Sequence, residues 1–312
     1  MAGPSPDISV VIPCLNEADN AEAIAAAAAA ELRKAGVTYE IIFIDNGSTD
    51  GTVDIIKGLC ARDGNVRLIV NNQNYGQMRS PTHAIYQTSG AAVIGLCADF
   101  QDPPEMIGDF IAKWRAGSRI VLGVRHSEKM SMTMRVIRAV GYGFLNRFGD
   151  YRVIPNATGF GLYDREVVDT LKRWRDPEPF FRGMLVESGF SLETIPYHRP
   201  NRAGGASKNN FGTMLAFALT GLTSSSKKLL RAPLLVSILA FCFTGASGLA
   251  AVIAALLGAS PWPLAILCLV MFLAGLNFLF LGLIGEQVRT IAMTVRNVPL
   301  VVERERVNFP EP

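Results

Sequence analysis

The sequence predicts an α/β unit built on a mainly parallel sheet, followed by a two-helix apolar hairpin. Three observations support this. Through residues 8–197, short β-branched runs alternate with helix-forming segments, the pattern of right-handed β-α-β crossovers. The loops after the first, second and fourth runs carry acids or amides, so one edge of the sheet is polar in a way the other is not. Residues 232–285 contain no Asp, Glu, Lys or Arg.

In order, Ser9-Val10-Val11-Ile12-Pro13 is a continuous β-branched run, as expected of a strand buried on both faces. A helix follows over about residues 20–34, its alanine-rich centre high in helix propensity and its end marked by Gly36. A second strand, 40–44, leads into Asp45-Asn46-Gly47-Ser48-Thr49-Asp50-Gly51-Thr52 and a helix over 52–60. Residues 67–70 read as a third strand, 81–88 as a helix, 92–96 as a fourth strand, 104–116 as a helix and 119–125 as a fifth strand. Residues 130–148 alternate apolar faces with Arg135, Arg138 and Arg147, a solvated surface helix or one resting on anionic headgroups. A short strand over 159–164 enters a helix over 165–173, and 190–197 is the last strand.

The remainder is apolar. Two spans, 233–257 and 262–285, each supply the roughly 20 residues that cross a hydrocarbon core of about 30 Å. Lys227, Lys228 and Arg231 precede them, and Arg289, Arg296, Arg304 and Arg306 follow, so both ends are expected in the cytoplasm. The expected organisation is a cytoplasmic α/β domain over 1–208, an amphipathic juxtamembrane segment over 209–232, two transmembrane helices over 233–285 and a cytoplasmic tail over 286–312. That is a multi-pass protein of the inner, cytoplasmic membrane. Gly245, Gly248 and Gly275 allow close helix packing within the hairpin or between subunits. No ionisable residue lies inside the spans, which argues against a channel or transporter. A net charge of +3 is too small to indicate nucleic acid as a partner. Five scattered cysteines form neither a disulfide framework nor a zinc spacing, as in a reducing compartment. Residues 8–13 are too short an apolar stretch for a signal peptide.

The chemistry centres on Cys97-Ala98-Asp99-Phe100-Gln101-Asp102-Pro103-Pro104-Glu105. An apolar strand delivers this stretch and the Pro-Pro pair stops it, so Asp99 and Gln101 sit where a buried strand breaks into a loop. Open α/β sheets bind their ligands there. Oxygen donors on alternate residues of an extended segment project the same way, which suits a hard divalent cation that also holds a diphosphate. The plainer alternative is a strand end with a solvated acidic turn.

Together with Ser9 to Pro13, Asn16-Glu17 and the Asp45 to Thr52 segment, this stretch resembles the signatures of family 2 glycosyltransferases with the GT-A fold. Gly123-Val124-Arg125, Arg202 with Ser207-Lys208, and the two C-terminal spans narrow the resemblance to polyprenyl-phosphate glycosyltransferases, similar to dolichol-phosphate mannose synthase and its bacterial glucosyl relatives. The resemblance implies an inverting transfer of a sugar from a UDP- or GDP-sugar to polyprenyl (undecaprenyl) phosphate at the cytoplasmic membrane face. In that scheme Pro13, Leu15, Glu17, Asp45, Ala98 and Asp99 line the nucleotide, and Asp99 and Gln101 hold Mg²⁺ or Mn²⁺. Arg125 holds donor or acceptor phosphates, while Arg202, Ser207 and Lys208 grip the acceptor phosphate. Asp102 assists as a base or as a supporting acid. The resemblance also implies a homo-oligomer built through the membrane hairpin. A phosphate monoester has a second pKa near about 6 and arrives largely dianionic, so the acceptor needs no strong general base.

This chain departs from the family pattern at named places. Cys97 stands where an Asp is usual, Asn46 stands where an acid is common, and the segment Asn74 to Pro81 departs from a small-residue version. A protonated thiol leaves the metal to Asp99, Gln101 and the diphosphate, or shifts its preference toward Mn²⁺. Two other functions remain open from sequence: a catalytically degenerate nucleotide- and lipid-binding scaffold, and a transferase with another lipid acceptor.

Overall fold

The computed structural model describes residues 5–125, 154, 156–198 and 298–309, with isolated helical positions between 266 and 295. The two apolar spans, the basic segment 130–148, and Arg202, Ser207 and Lys208 lie outside the described residues, apart from the isolated positions. Among the described residues, no helix is long and apolar enough to cross a membrane.

Eight strands form one sheet: β1 (Ile8–Cys14), β2 (Tyr39–Asp45), β3 (Val66–Asn71), β4 (Ala92–Gly95), β5 (Ile120–Arg125), β6 (Ala157–Asp164), β7 (Leu192–Tyr197) and β8 (Glu303–Val307). Their order is β7-β5-β6-β4-β1-β2-β3-β8. The β1–β2, β1–β4, β2–β3 and β5–β7 pairs are parallel, whereas β6 is antiparallel to β4 and β5, and β8 to β3. The sheet is therefore mixed: β1 to β5 and β7 run one way, β6 and β8 the other. Those six same-direction strands all end at one edge of the sheet.

The helices are α1 (Ala21–Lys34), α2 (Thr52–Arg62), α3 (Gly76–Tyr86), α4 (Ile107–Arg115), α5 (Arg165–Arg173) and α6 (Phe181–Glu187), and a 3-10 turn, Pro104–Met106, precedes α4. They cover both sheet faces, as continuous apolar strands require. Ile24, Ile56 and Phe110 pack with Val10, Ile12, Phe43 and Leu68 on one face. Ile85, Val168 and Leu185 pack with Val11, Ile42, Ile44 and Ile69 on the other. Alternation along β1 and β2 sends neighbouring residues into opposite cores.

At the edge away from the strand ends, the buried Glu40 carboxylate ties three strands together. It accepts from the Ser9 hydroxyl (2.5 Å) and from Ser89 N–H and Oγ (2.7 and 2.9 Å), and it pairs with Arg67. A buried charge is tolerated only with partners of this kind.

Three elements differ from the sequence reading. Helix α3 starts at Gly76 rather than at Pro81, because Asn74 Oδ1 accepts the Gly76 N–H (2.8 Å) and starts the helix earlier, leaving Pro81 inside it. Helix α6 was not anticipated. Residues 303–307, read as part of a tail, form β8 at the sheet edge beside β3.

Polar contacts lock β8 onto α3. His83 Nε2 lies 2.5 Å from Glu303 Oε1, Arg306 pairs with Glu303 and donates to Gln87 Oε1 (2.9 Å), and Arg79 donates to Pro299 O (2.9 Å). Burial pushes the Glu303 carboxyl up, but hydrogen bonds from His83 and Arg306 outweigh it and bring it down to about 2. A carboxyl held below its ordinary value of 4.5 contributes stability in full above that value, and loses it as pH falls toward about 2. The unfolding midpoint is therefore expected to drop between pH 4.5 and 2, and Glu303→Gln is expected to be less stable at neutral pH with a shallower acid limb. Parallel pH profiles for the two proteins would refute the latch.

Candidate active site

Each of the six co-directional strands delivers polar residues to the shared edge. Cys14 of β1 lies opposite Asp45 of β2, and Arg125 of β5 lies opposite Tyr197 of β7.

On the β1–β2 side, the loops after the two strands are laced together. Asn16, at φ 57°, donates its N–H to Ser48 Oγ (2.8 Å) and accepts the Thr49 N–H on its Oδ1 (2.8 Å). Glu17 N–H donates to Thr52 Oγ1 (2.9 Å), and Ala18 N–H to Asp50 Oδ2 (3.3 Å). Burial pushes the Asp50 carboxyl up, but hydrogen bonds from Thr52 and Ala18 prevail and hold it below its usual range. Much of the Asp45 to Thr52 motif thus serves to hold a loop. Glu17 accepts from Asn20 Nδ2 (2.7 Å) just ahead of α1, where an acid also suits the helix dipole. Pro13 and Leu15 are half-buried beside it.

Asp45 is almost fully buried. Its Oδ2 accepts the Gly47 and Ser48 N–H groups, both at 3.1 Å, and its Oδ1 has no hydrogen-bond partner in the structure. A buried acceptor left in that state is one that an N–H or O–H donor of a ligand would satisfy.

Asn46 belongs to the protein's own amide network. Its Nδ2 donates to Asn74 Oδ1 (2.8 Å) and Gly76 O (3.2 Å), and its Oδ1 accepts from Asn71 Nδ2 (3.2 Å) and Tyr75 N–H (2.9 Å). A carboxylate could not make the two donations. The departures at Asn46 and Asn74 are therefore two halves of one contact.

On the β4–β5–β7 side, the loop after β4 turns at Phe100, φ 58°, and Asp99 Oδ1 accepts the Gln101 N–H (3.2 Å). Asp99 and Gln101 are half-buried, while Ala98 is buried in the core, so its methyl is not a lining group. Asp102 is buried and accepts the Tyr197 hydroxyl (2.8 Å) on Oδ1. Cys97 is exposed to solvent on one side, while protein atoms crowd its thiol on the other. That enclosure, then the charge of Asp102 and a hydrogen bond to it, then Asp99, hold its thiol well above the usual range, while Arg125 pulls the other way. Burial, then the charge of Asp102, likewise pushes Tyr197 up to about 12. The structure thus brings Cys97, Asp99, Asp102 and Arg125 into one electrostatic cluster. It adds Tyr197 and Arg182, which sequence reasoning missed; Arg182 donates to Ala157 O (3.0 Å) at the same edge. Gly123, beside Arg125, was the signal available for Tyr197.

The donor set fits a substrate-bridged cation. Among the described residues, no group of three or more His, Cys, Asp or Glu side chains is placed to hold a metal. One carboxylate and one amide oxygen on a tight turn match Mg²⁺ or Mn²⁺ bound mainly through phosphate oxygens and water. A neutral Cys97 thiol adds no ligand.

Residues 9–172 match the family described as Glycosyl transferase family 2. The uncharacterized glycosyltransferase YkcC of Bacillus subtilis is 30% identical over 85% of this chain and 83% of its own length. The SfII prophage-derived bactoprenol glucosyl transferase of Shigella flexneri is 29% identical over 94% of this chain and 96% of its own. Among solved structures, glucosyl-3-phosphoglycerate synthase from Mycobacterium tuberculosis is similar at a TM-score of 0.49 and 19% identity, over 72% of this chain and 78% of that one.

Asn46→Asp is expected to cost about 2 kcal/mol, because it places a buried carboxylate against two oxygens that now accept from an amide. Urea unfolding measures this. A variant of unchanged stability but altered donor choice would show instead that Asn46 reads the substrate.

Proposed function

The chain belongs to glycosyl transferase family 2, and we propose that it moves a sugar from a UDP- or GDP-sugar to polyprenyl phosphate at the cytoplasmic membrane face, with inversion at the anomeric carbon. The observation that carries this is the convergence of Asp45, Asp99 and Arg125 on one strand-end edge. Asp45 offers an unpartnered acceptor to the nucleotide, and Glu17, Pro13 and Leu15 stand beside it. Asp99 and Gln101 hold Mg²⁺ or Mn²⁺, which when bound neutralises the diphosphate and makes it a better leaving group. Arg125 faces developing phosphate charge, and Arg202, Ser207 and Lys208 receive the acceptor phosphate. The dianionic acceptor is already nucleophilic, so the residues orient it and balance charge. Asp102, buried and engaged by Tyr197, holds the loop rather than taking a proton.

The membrane part of the reading rests on the uncharged block 232–285 and on helical residues Ile266, Leu273, Ile284, Val288, Ile291 and Val295, all apolar and exposed. Exposed apolar side chains at those helical positions are what lipid or a second subunit would cover.

Membranes containing the protein, incubated with labelled UDP- and GDP-sugars, undecaprenyl phosphate and Mg²⁺ or Mn²⁺, are expected to yield a chloroform-soluble product. Chelation is expected to abolish it, and Asp99→Asn to lower the rate by about 100-fold or more. No such product from any common donor would sink the proposal, and product formed only with another lipid would move the acceptor.

A further inference from the structure

Tyr197 has so far served only to engage Asp102, yet it also ends β7 opposite Arg125 of β5. Its ring is buried edge-on to Phe160 (5.4 Å between centroids), which is edge-on to Phe110 (4.8 Å). Its hydroxyl donates to Asp102 Oδ1 at 2.8 Å, and the Arg125 cation on the neighbouring strand acts on it electrostatically. Gly123 makes room for this ring. A Cβ at that position would lie 2.7 Å from Phe160 and 3.2 Å from Tyr197, so the glycine two residues before Arg125 seats the tyrosine.

We propose that Tyr197 is a positioning residue of the transfer reaction: its neutral hydroxyl stands between Arg125 and Asp102, tying the loop that bears Asp99 and Gln101 to the guanidinium that meets the diphosphate. This rests on the transferase reading above. An arginine and a carboxylate free to reach one another favour a direct two-point pair, which would turn the guanidinium away from a substrate anion. The hydroxyl satisfies the buried carboxylate with its O–H and the guanidinium with its lone pair, so both charges are solvated while neither neutralises the other. Arg125 Nε is buried and has no partner in the structure, so the cation keeps donor capacity to spare. The aromatic stack fixes the ring and therefore the height of the hydroxyl above the strand.

The test uses the full chain in membranes or detergent, as wild type, Tyr197→Phe, Arg125→Ala and the double variant. Three quantities are measured: steady-state transfer, calorimetric binding of UDP and of GDP with Mn²⁺, and the unfolding midpoint. Tyr197→Phe is expected to lower kcat by about 10- to 100-fold, the scale of loss from a small misplacement of a charged group, with donor KM within about threefold. The product diphosphate carries the fully developed charge, so its binding is expected to weaken by about tenfold. In the Arg125→Ala background the tyrosine substitution is expected to add nothing, since groups acting as one unit are not additive.

Additive losses, a kcat within twofold of wild type, or losses that simply track the unfolding midpoint would each overturn the proposal. Asp102→Asn keeps an oxygen that accepts the hydroxyl and covers the case in which Tyr197→Phe does not fold. Because it removes a charge but keeps the acceptor, it is expected to lose less of kcat than Arg125→Ala, and a loss as large as that of Arg125→Ala would overturn the bridge. A wild type that neither binds UDP or GDP nor transfers sugar overturns the transferase reading itself. A wild type that transfers, with Tyr197→Phe indistinguishable from it, overturns only the role of Tyr197.

Discussion

Strand direction is the constraint on which the rest of the molecule depends. Parallel pairing sets Cys14 opposite Asp45 and Val11 opposite Gly95, and the β5–β7 pair sets Arg125 opposite Tyr197. A slip of one residue in a strand buried on both faces would exchange the side chains that fill its two cores. The aliphatic packing on each face therefore holds the strand ends in line, and those ends carry the polar groups. Burial far from the site in this way sets the geometry of the site.

Gathering carboxylates at one edge is unfavourable unless each has donors, and the structure supplies them one by one. Asp45 takes two backbone N–H groups, Asp50 takes those of Thr52 and Ala18 together with the Thr52 hydroxyl, and Asp102 takes the Tyr197 hydroxyl. These bonds order the loops before any ligand arrives. A site ordered in advance loses less freedom when it binds a charged substrate, and its dipoles need not reorganise as charge moves to the leaving group. The amide network of Asn46, Asn71 and Asn74 does the same work with neutral groups, keeping further negative charge away from a site meant for phosphates.

The ends of the sheet show how the catalytic unit is closed. β7 and β8, which precede and follow the uncharged block in the chain, occupy opposite sheet edges. Both edges discourage further strand pairing, β7 with Pro196 and β8 with alternating Glu303, Arg304, Glu305 and Arg306. The charges on β8 also serve locally, since Lys57 reaches Glu305 (2.7 Å) and His83 reaches Glu303. The chain beyond the apolar block is thus bound to the same sheet as the chain before it.

Local pattern was enough to read β1 to β5, α1, α2, α4 and α5, and the acids at their loops, because β-branched runs, alanine-rich helices and Pro-Pro or Gly breaks act over a few residues. That Asp99 and Gln101 follow a strand and that Arg125 ends one was legible for the same reason, since the ends of those strands were already marked. Tertiary structure alone decided the antiparallel entry of β6 between β4 and β5, and the recruitment of Glu303 to Val307 as a strand, since both depend on partners far along the chain. It also decided that Asn46 answers Asn74 and that Tyr197, opposite Arg125 on the neighbouring strand, meets Asp102. A hydrogen bond spanning 95 positions leaves no trace in local periodicity. It exists only because the sheet places both strand ends at one height.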